Sequence, residues 1–170
     1  MRCKITLIFS ALLFSLNSVL PQNYPKAQCL VSWSIRTGCG RAKTAIKNQM
    51  DNWKETDIGA SNCPERSRKC RYIFEGFDKE GSITGHHVTS ILLGQHSYKN
   101  RVSFEFSDDD NNCKVVGFSK STDDEIYFDF GANYCSLKNL LDGANLLLQN
   151  EFSESTSKDI CTQLDKANCE

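Results

Sequence analysis

The chain has 170 residues, with 20 Lys and Arg against 21 Asp and Glu, 39% hydrophobic residues and nine cysteines. That balance is neither a nucleic-acid footprint nor a polybasic membrane patch. The length suits one domain around one core.

The N-terminus comes first. Arg2 and Lys4 precede the apolar run "ITLIFSALLF", and Ser15, Asn17 and Ser18 follow it. A charged start, a short apolar stretch and a polar end predict a secretory signal peptide over residues 1–20. The run is too short for a membrane span, which needs ~20 apolar residues, and no later segment is apolar for that long. No A-x-A site is present, so cleavage is placed between Ser18 and Gln22. Residues 21–170 are then a single secreted domain. Without Arg2 and Lys4 the mature chain carries 18 Lys and Arg against 21 Asp and Glu, near −3.

Cys3 leaves with the signal peptide. Cys29, Cys39, Cys63, Cys70, Cys113, Cys135, Cys161 and Cys169 remain, an even number that reads as a disulfide framework. Spacing makes Cys63–Cys70 and Cys161–Cys169 the candidate local staples. The other pairings stay open, with Cys135 expected to hold the sheet's end to another segment such as the tail. Zinc would need C-x2-4-C pairs, and none occurs, so no metal and no cofactor is expected. No N-x-S/T sequon is present.

Pro21 to Thr37 reads as irregular. From Gly40 to Glu55, Ala42, Ala45, Ile46, Gln49, Met50 and Trp53 recur at helical spacing, which predicts an amphipathic helix with Trp53 as its large anchor. "GASNCPERSRK" follows as a loop. From Cys70 the period is two: Cys70, Tyr72 and Phe74 share one face of "CRYIFEGF". "ITGHHVTSILL" is a strand by residue type. "NRVSFEF" places Val102, Phe104 and Phe106 inward, and "CKVVGFSK" is a further strand. "IYFDFGANY" predicts a strand with Ile126, Phe128 and Phe130 inward and Tyr127 and Asp129 outward. Short polar turns between these runs predict an antiparallel meander. Ser136 is the predicted N-cap of a short helix carrying Leu137, Leu140, Leu141 and Ala144, limited by Gly143. The polar tail from Gln149 to Glu170 carries two cysteines and is expected to be pinned to the body.

His86, His87 and His96 are the only histidines. Adjacent strand residues point to opposite faces, so His86 and His87 do not grip one ion together and read as surface or edge-strand residues. Asp108, Asp109, Asp110 and Asn111 lack calcium-loop spacing. Asp123, Asp124 and Glu125 form a second acidic turn, about 20 Å from the first if one strand separates them. That is too far for a glycosidase carboxylate pair. No G-x-S-x-G, P-loop or H-E-x-x-H occurs, so no enzyme activity and no catalytic residue is expected.

The predicted fold class is α+β: one long N-terminal helix packed on a four-stranded antiparallel meander drawn from the five strand-like runs, then a short C-terminal helix and a disulfide-bound tail. This architecture resembles the cystatin-like fold. Inhibitory cystatins carry a Q-x-V-x-G hairpin and a later Pro-Trp hairpin. The nearest string here, "GQHSYKNRV", lacks Val and Gly at the required offsets from Gln95, and Trp33 and Trp53 both precede the meander. "CKVVGFSKS", "YFDFGANYCSLKNLLDGANL" and "SESTSKDICTQLDKANC" also resemble a group of uncharacterised small secreted cysteine-rich animal proteins, over roughly Cys39 to Cys169. That resemblance implies fold and secretion and no activity. The expected role is a non-catalytic extracellular binding, matrix or defence component with an extracellular protein or matrix partner. The alternative is a diverged cystatin-like cysteine-peptidase inhibitor.

Overall fold

The computed structural model describes residues 26–54, 69–91, 96–148 and 152–169. The expected signal peptide, Cys63, Gln95 and most of the loop around Cys63 lie outside these residues.

The segment read as irregular contains a central strand. In β1 (Gln28–Ile35), Cys29, Val31, Trp33 and Ile35 are fully buried and alternate with the more exposed Leu30, Ser32 and Ser34. This is the period-two pattern of a strand with one face on a core. Pro21 and Pro25 lie upstream of it and do not interrupt it.

Helix α1 (Cys39–Asn52) follows and buries Ala42, Ile46, Gln49 and Met50 along one stripe. It ends at Trp53, whose carbonyl accepts the amides of Arg71 and Tyr72. The chain continues through β2 (Tyr72–Phe77), β3 (Ile83–Ile91), β4 (His96–Asp109), β5 (Asn112–Ser121), α2 (Ala132–Gly143) and β6 (Phe152–Ser155), with a 3-10 turn at Leu164–Lys166.

The six strands form one antiparallel sheet in the order β2-β3-β4-β5-β1-β6. This overturns the expected cystatin-like architecture of one long N-terminal helix on a four-stranded meander. The first element is a strand, the sheet has six strands, and α2 nearly matches α1 in length. Both helices contribute to one apolar cluster with the inward residues of the sheet, including Trp33, Tyr72, Phe104, Val115, Ile46, Met50, Leu137 and Leu140. Gly117 of β5 makes room for this packing. A Cβ there would stand 2.9 Å from the Trp33 ring, 3.2 Å from Phe104 and 3.3 Å from Leu137. Among the described residues, the opposite face of the sheet carries no helix, as antiparallel sheets allow.

"IYFDFGANY" is not a strand. Residues 126–129 are irregular, Phe128 and Phe130 are 63% and 60% exposed, and Asp129 is 2% exposed. The expected facing is inverted at Phe128, Asp129 and Phe130, while Tyr127 faces outward as expected. Helix α2 starts at Ala132 after Gly131, so Ser136 is not its N-cap but a buried residue of its second turn.

Three disulfides join distant segments: Cys29–Cys161, Cys39–Cys113 and Cys135–Cys169. The expected Cys161–Cys169 staple is therefore overturned. Cys161 bonds to Cys29 of β1 and Cys169 to Cys135 of α2, so the two tail cysteines are held by different elements. Cys70 is also disulfide-bonded, and Cys63 lies outside the described residues. The tail is pinned by more than sulfur. β6 pairs with β1, Thr162 exchanges backbone and side-chain hydrogen bonds with Gln28, and the Thr156 hydroxyl donates to the Leu30 carbonyl.

Candidate functional site

Two features stand out under and beside α2: a buried polar lock, and an aromatic loop held by a separate anchor at Asp129.

The lock centres on His87 of β3, which is 2% exposed and not a surface residue as its sequence context suggested. Alternation on β3 turns His87 inward and His86 outward, where His86 Nδ1 lies 2.9 Å from Glu75 across the β2–β3 pair. The His87 ring stacks on Tyr72, 4.3 Å between centroids, and Tyr72 stacks in turn on Trp53. His87 Nε2 is 2.9 Å from the Cys70 carbonyl, and Nδ1 is 2.6 Å from Ser136 Oγ. A carbonyl only accepts, so Nε2 carries a proton toward Cys70. The Ser136 hydroxyl donates to the Ala132 carbonyl at 2.7 Å. Asn100 Nδ2 donates to both Ser136 Oγ and Thr89 Oγ1, and the Tyr72 hydroxyl donates to the Ser136 carbonyl. Burial pushes the Tyr72 hydroxyl well above its ordinary pKa, so it stays a donor. The network ties α2 to β2, β3 and β4. Ser136→Ala removes the oxygen that His87 and Asn100 share, and is expected to lower the unfolding free energy by about 1–3 kcal/mol in urea titration.

The loop is residues 126–131. Burying Asp129 rather than the phenylalanines is favoured because its carboxylate meets the unsatisfied amides at the start of α2. Oδ1 accepts from Gly131 N at 3.1 Å, and Oδ2 accepts from Asn133 N at 2.8 Å and Asn133 Nδ2 at 2.7 Å. Asn133 Oδ1 then accepts from the Ser119 hydroxyl at 2.6 Å, which carries the anchor into β5. Phe130 has φ +52°, and its amide donates to Gln163 Oε1 at 2.7 Å. A left-handed conformation costs a residue with a side chain roughly 1–2 kcal/mol, offset here by these contacts. Gly131, φ +76°, leaves no space for a Cβ against Ala167. The Cys135–Cys169 bridge fixes the same two segments one helical turn further on. Tyr127, Phe128 and Phe130, at 43%, 63% and 60% exposure, thus stand on a backbone held from several sides.

Desolvation pushes the Asp129 carboxyl above the usual aspartate range, although the amides of Asn133 and Gly131 pull it down. The folded state therefore binds this proton more tightly than the unfolded chain does. The associated stability is present below the unfolded pKa and is lost as pH rises through the folded value. Urea unfolding between about pH 3 and pH 7 is expected to show this falling component, and Asp129→Asn is expected to remove it. A profile unchanged by Asp129→Asn would reject the assignment.

The remaining sequence candidates lie apart. Asp110 and Asn111 form the turn between β4 and β5, while Asp123, Asp124 and Glu125 follow the other end of β5. Asp124 pairs with Lys26, which holds its carboxyl below the usual range. His96 begins β4. Among the described residues, no three His, Cys, Asp or Glu side chains converge as a metal site, and no helix is long and apolar enough to cross a membrane. The sequence held one signal for the loop that the strand reading missed. Asp129 stands two residues before a Gly and four before Asn133, at the entry to an apolar helical run.

No family model matches the chain, and no curated protein matches it. Among solved structures, the crystal structure of TTHA0849 from Thermus thermophilus aligns with 75% of this chain and 100% of its own. The identity is 9% and the TM-score 0.35.

Proposed function

We propose that this is a secreted, disulfide-stabilised, non-catalytic binding component whose contact surface for a protein partner is the Tyr127–Phe130 loop. The observation that carries the reading is the exposure of Phe128 and Phe130 on a pinned backbone. Aromatic rings supply large contact area at a small entropic cost, which is why they concentrate at binding hot spots. Pinning the loop before binding removes part of the ordering cost.

Two observations support the non-catalytic part. Cys135, at the junction between loop and helix, is held in a disulfide, and both His87 nitrogens are engaged inside the core. The bridges fit an oxidising, extracellular setting, and the N-terminal run fits a signal peptide.

The test places a photo-crosslinking phenylalanine analogue at Phe128 and, separately, at Lys114 on the helix-free face. The mature oxidised protein is then exposed to its native extracellular fluid. A discrete crosslinked protein from position 128 and none from 114 is the expected result. Equal yields at both, or none at 128, would remove this loop as the contact surface.

A further inference from the structure

We infer that the Tyr127–Phe130 loop docks on a cationic protein surface, with Phe128 and Phe130 seated in apolar pockets bordered by Lys or Arg. This rests on the reading of the loop as the contact surface and adds the chemistry of the partner.

The charge pattern around the aromatics carries the inference. The turn leading into the loop presents Asp123, Asp124 and Glu125, all exposed. Its shape is set by Glu125 N donating to Asp123 Oδ1 at 2.9 Å and Ile126 N donating to the Asp123 carbonyl. Ala27 N donates to the Ile126 carbonyl, so the turn is stitched to the chain beside β1. Asp124 is matched by Lys26, with Lys120 adding a weaker attraction. Asp123 and Glu125 form no ion pair among the described residues. Two carboxylates without a matching cation there sit two to seven residues from the exposed rings, on an ordered backbone. The mature chain as a whole is acidic, near −3 once Arg2 and Lys4 are left out.

This pattern separates the possible occupants. A second copy meeting through the same loop would bring Asp123 and Glu125 against their own counterparts, and like charges across an interface oppose association. An anionic lipid surface is repelled for the same reason, and a zwitterionic one requires carboxylates to enter the headgroup region beside the rings. A partner with Lys or Arg around apolar pockets satisfies rings and carboxylates together, and Arg also stacks on aromatic faces.

The test uses the mature oxidised protein and two dye-labelled amphipathic helical peptides, one of Leu and Lys, the other of Leu and Glu, read by fluorescence anisotropy. The Leu/Lys peptide is expected to bind at least about tenfold more tightly, and more weakly as salt rises past ~0.1 M. The double charge reversal Asp123→Lys with Glu125→Lys is expected to invert the ranking. Phe128→Ala with Phe130→Ala is expected to abolish binding of both peptides, while circular dichroism and the thermal midpoint stay those of the folded protein. Equal binding of the two peptides would overturn the cationic partner and leave the loop as contact surface. Leu/Lys binding that survives the two alanines would overturn the loop itself, and with it this inference. Absence of binding to either peptide overturns the inference. So does Phe-dependent capture on phosphatidylcholine vesicles, or Phe-dependent dimerisation in sedimentation, in either case in preference to the Leu/Lys peptide.

Discussion

Replacing Cys29 and Cys161 together by alanine is expected to lower the unfolding free energy by about 4 kcal/mol. The two residues are 132 apart in sequence, yet the other bridges shorten the loop they close. The shortest covalent path runs through segments 29–39, 113–135 and 161–169, roughly forty residues, for which loop closure contributes about 4 kcal/mol in the unfolded-chain model. Both cysteines are fully buried, so their loss also loosens the seam between β1 and the tail. The double change leaves no odd thiol to exchange with the remaining bridges. Equilibrium urea unfolding under non-reducing conditions measures the effect. A loss below about 1 kcal/mol would show that β6 and the Gln28–Thr162 hydrogen bonds hold the tail without the bridge.

Trp33→Ala is expected to cost about 3–5 kcal/mol. Trp33 is fully buried in β1 between β5 and β6, with its ring against the space left open by Gly117. Alanine leaves a cavity that rigid neighbours on a sheet fill poorly. Trp33 Nε1 also donates to Glu154 Oε2 at 2.8 Å, and Glu154 Oε1 accepts from the Tyr134 hydroxyl at 2.8 Å. One carboxylate thus joins β1, α2 and the edge strand β6. Burial, and after it Glu154, raises the Tyr134 pKa, so its hydroxyl keeps its proton and the bond. Trp33→Phe keeps most of the apolar volume but loses the donor and leaves a small void, so about 1–2 kcal/mol is expected there. Similar losses for Ala and Phe would mean that the bond to Glu154, and not packing, dominates.

These two sites also mark where reading the chain succeeded and failed. The alternation Cys29, Val31, Trp33, Ile35 was present in β1, but Pro21 and Pro25 before it and Gly38 and Gly40 after it made the segment read as irregular. The helical spacing of Ala42, Ile46, Gln49 and Met50 was legible because one face of a helix is set by local periodicity. Val102 and Phe104 were legible inward positions for the same reason at period two. The loop was misread because alternation in "YFDF" is equally regular for either face. Only the amides at the start of α2 decide that Asp129 goes in and the phenylalanines stay out.

What the sequence determined by itself is therefore local: where apolar residues repeat, and that an even set of cysteines favours disulfides. Tertiary structure alone decided that Cys29 pairs with Cys161 and Cys39 with Cys113. Their contacts are set by strand order, and β1 enters the sheet between β5 and β6, far in sequence from both. It alone also decided that His87 is locked inside while Phe128 and Phe130 face solvent. Burial depends on which partners a side chain meets across the core, and a buried polar group is stable only where its hydrogen bonds are completed.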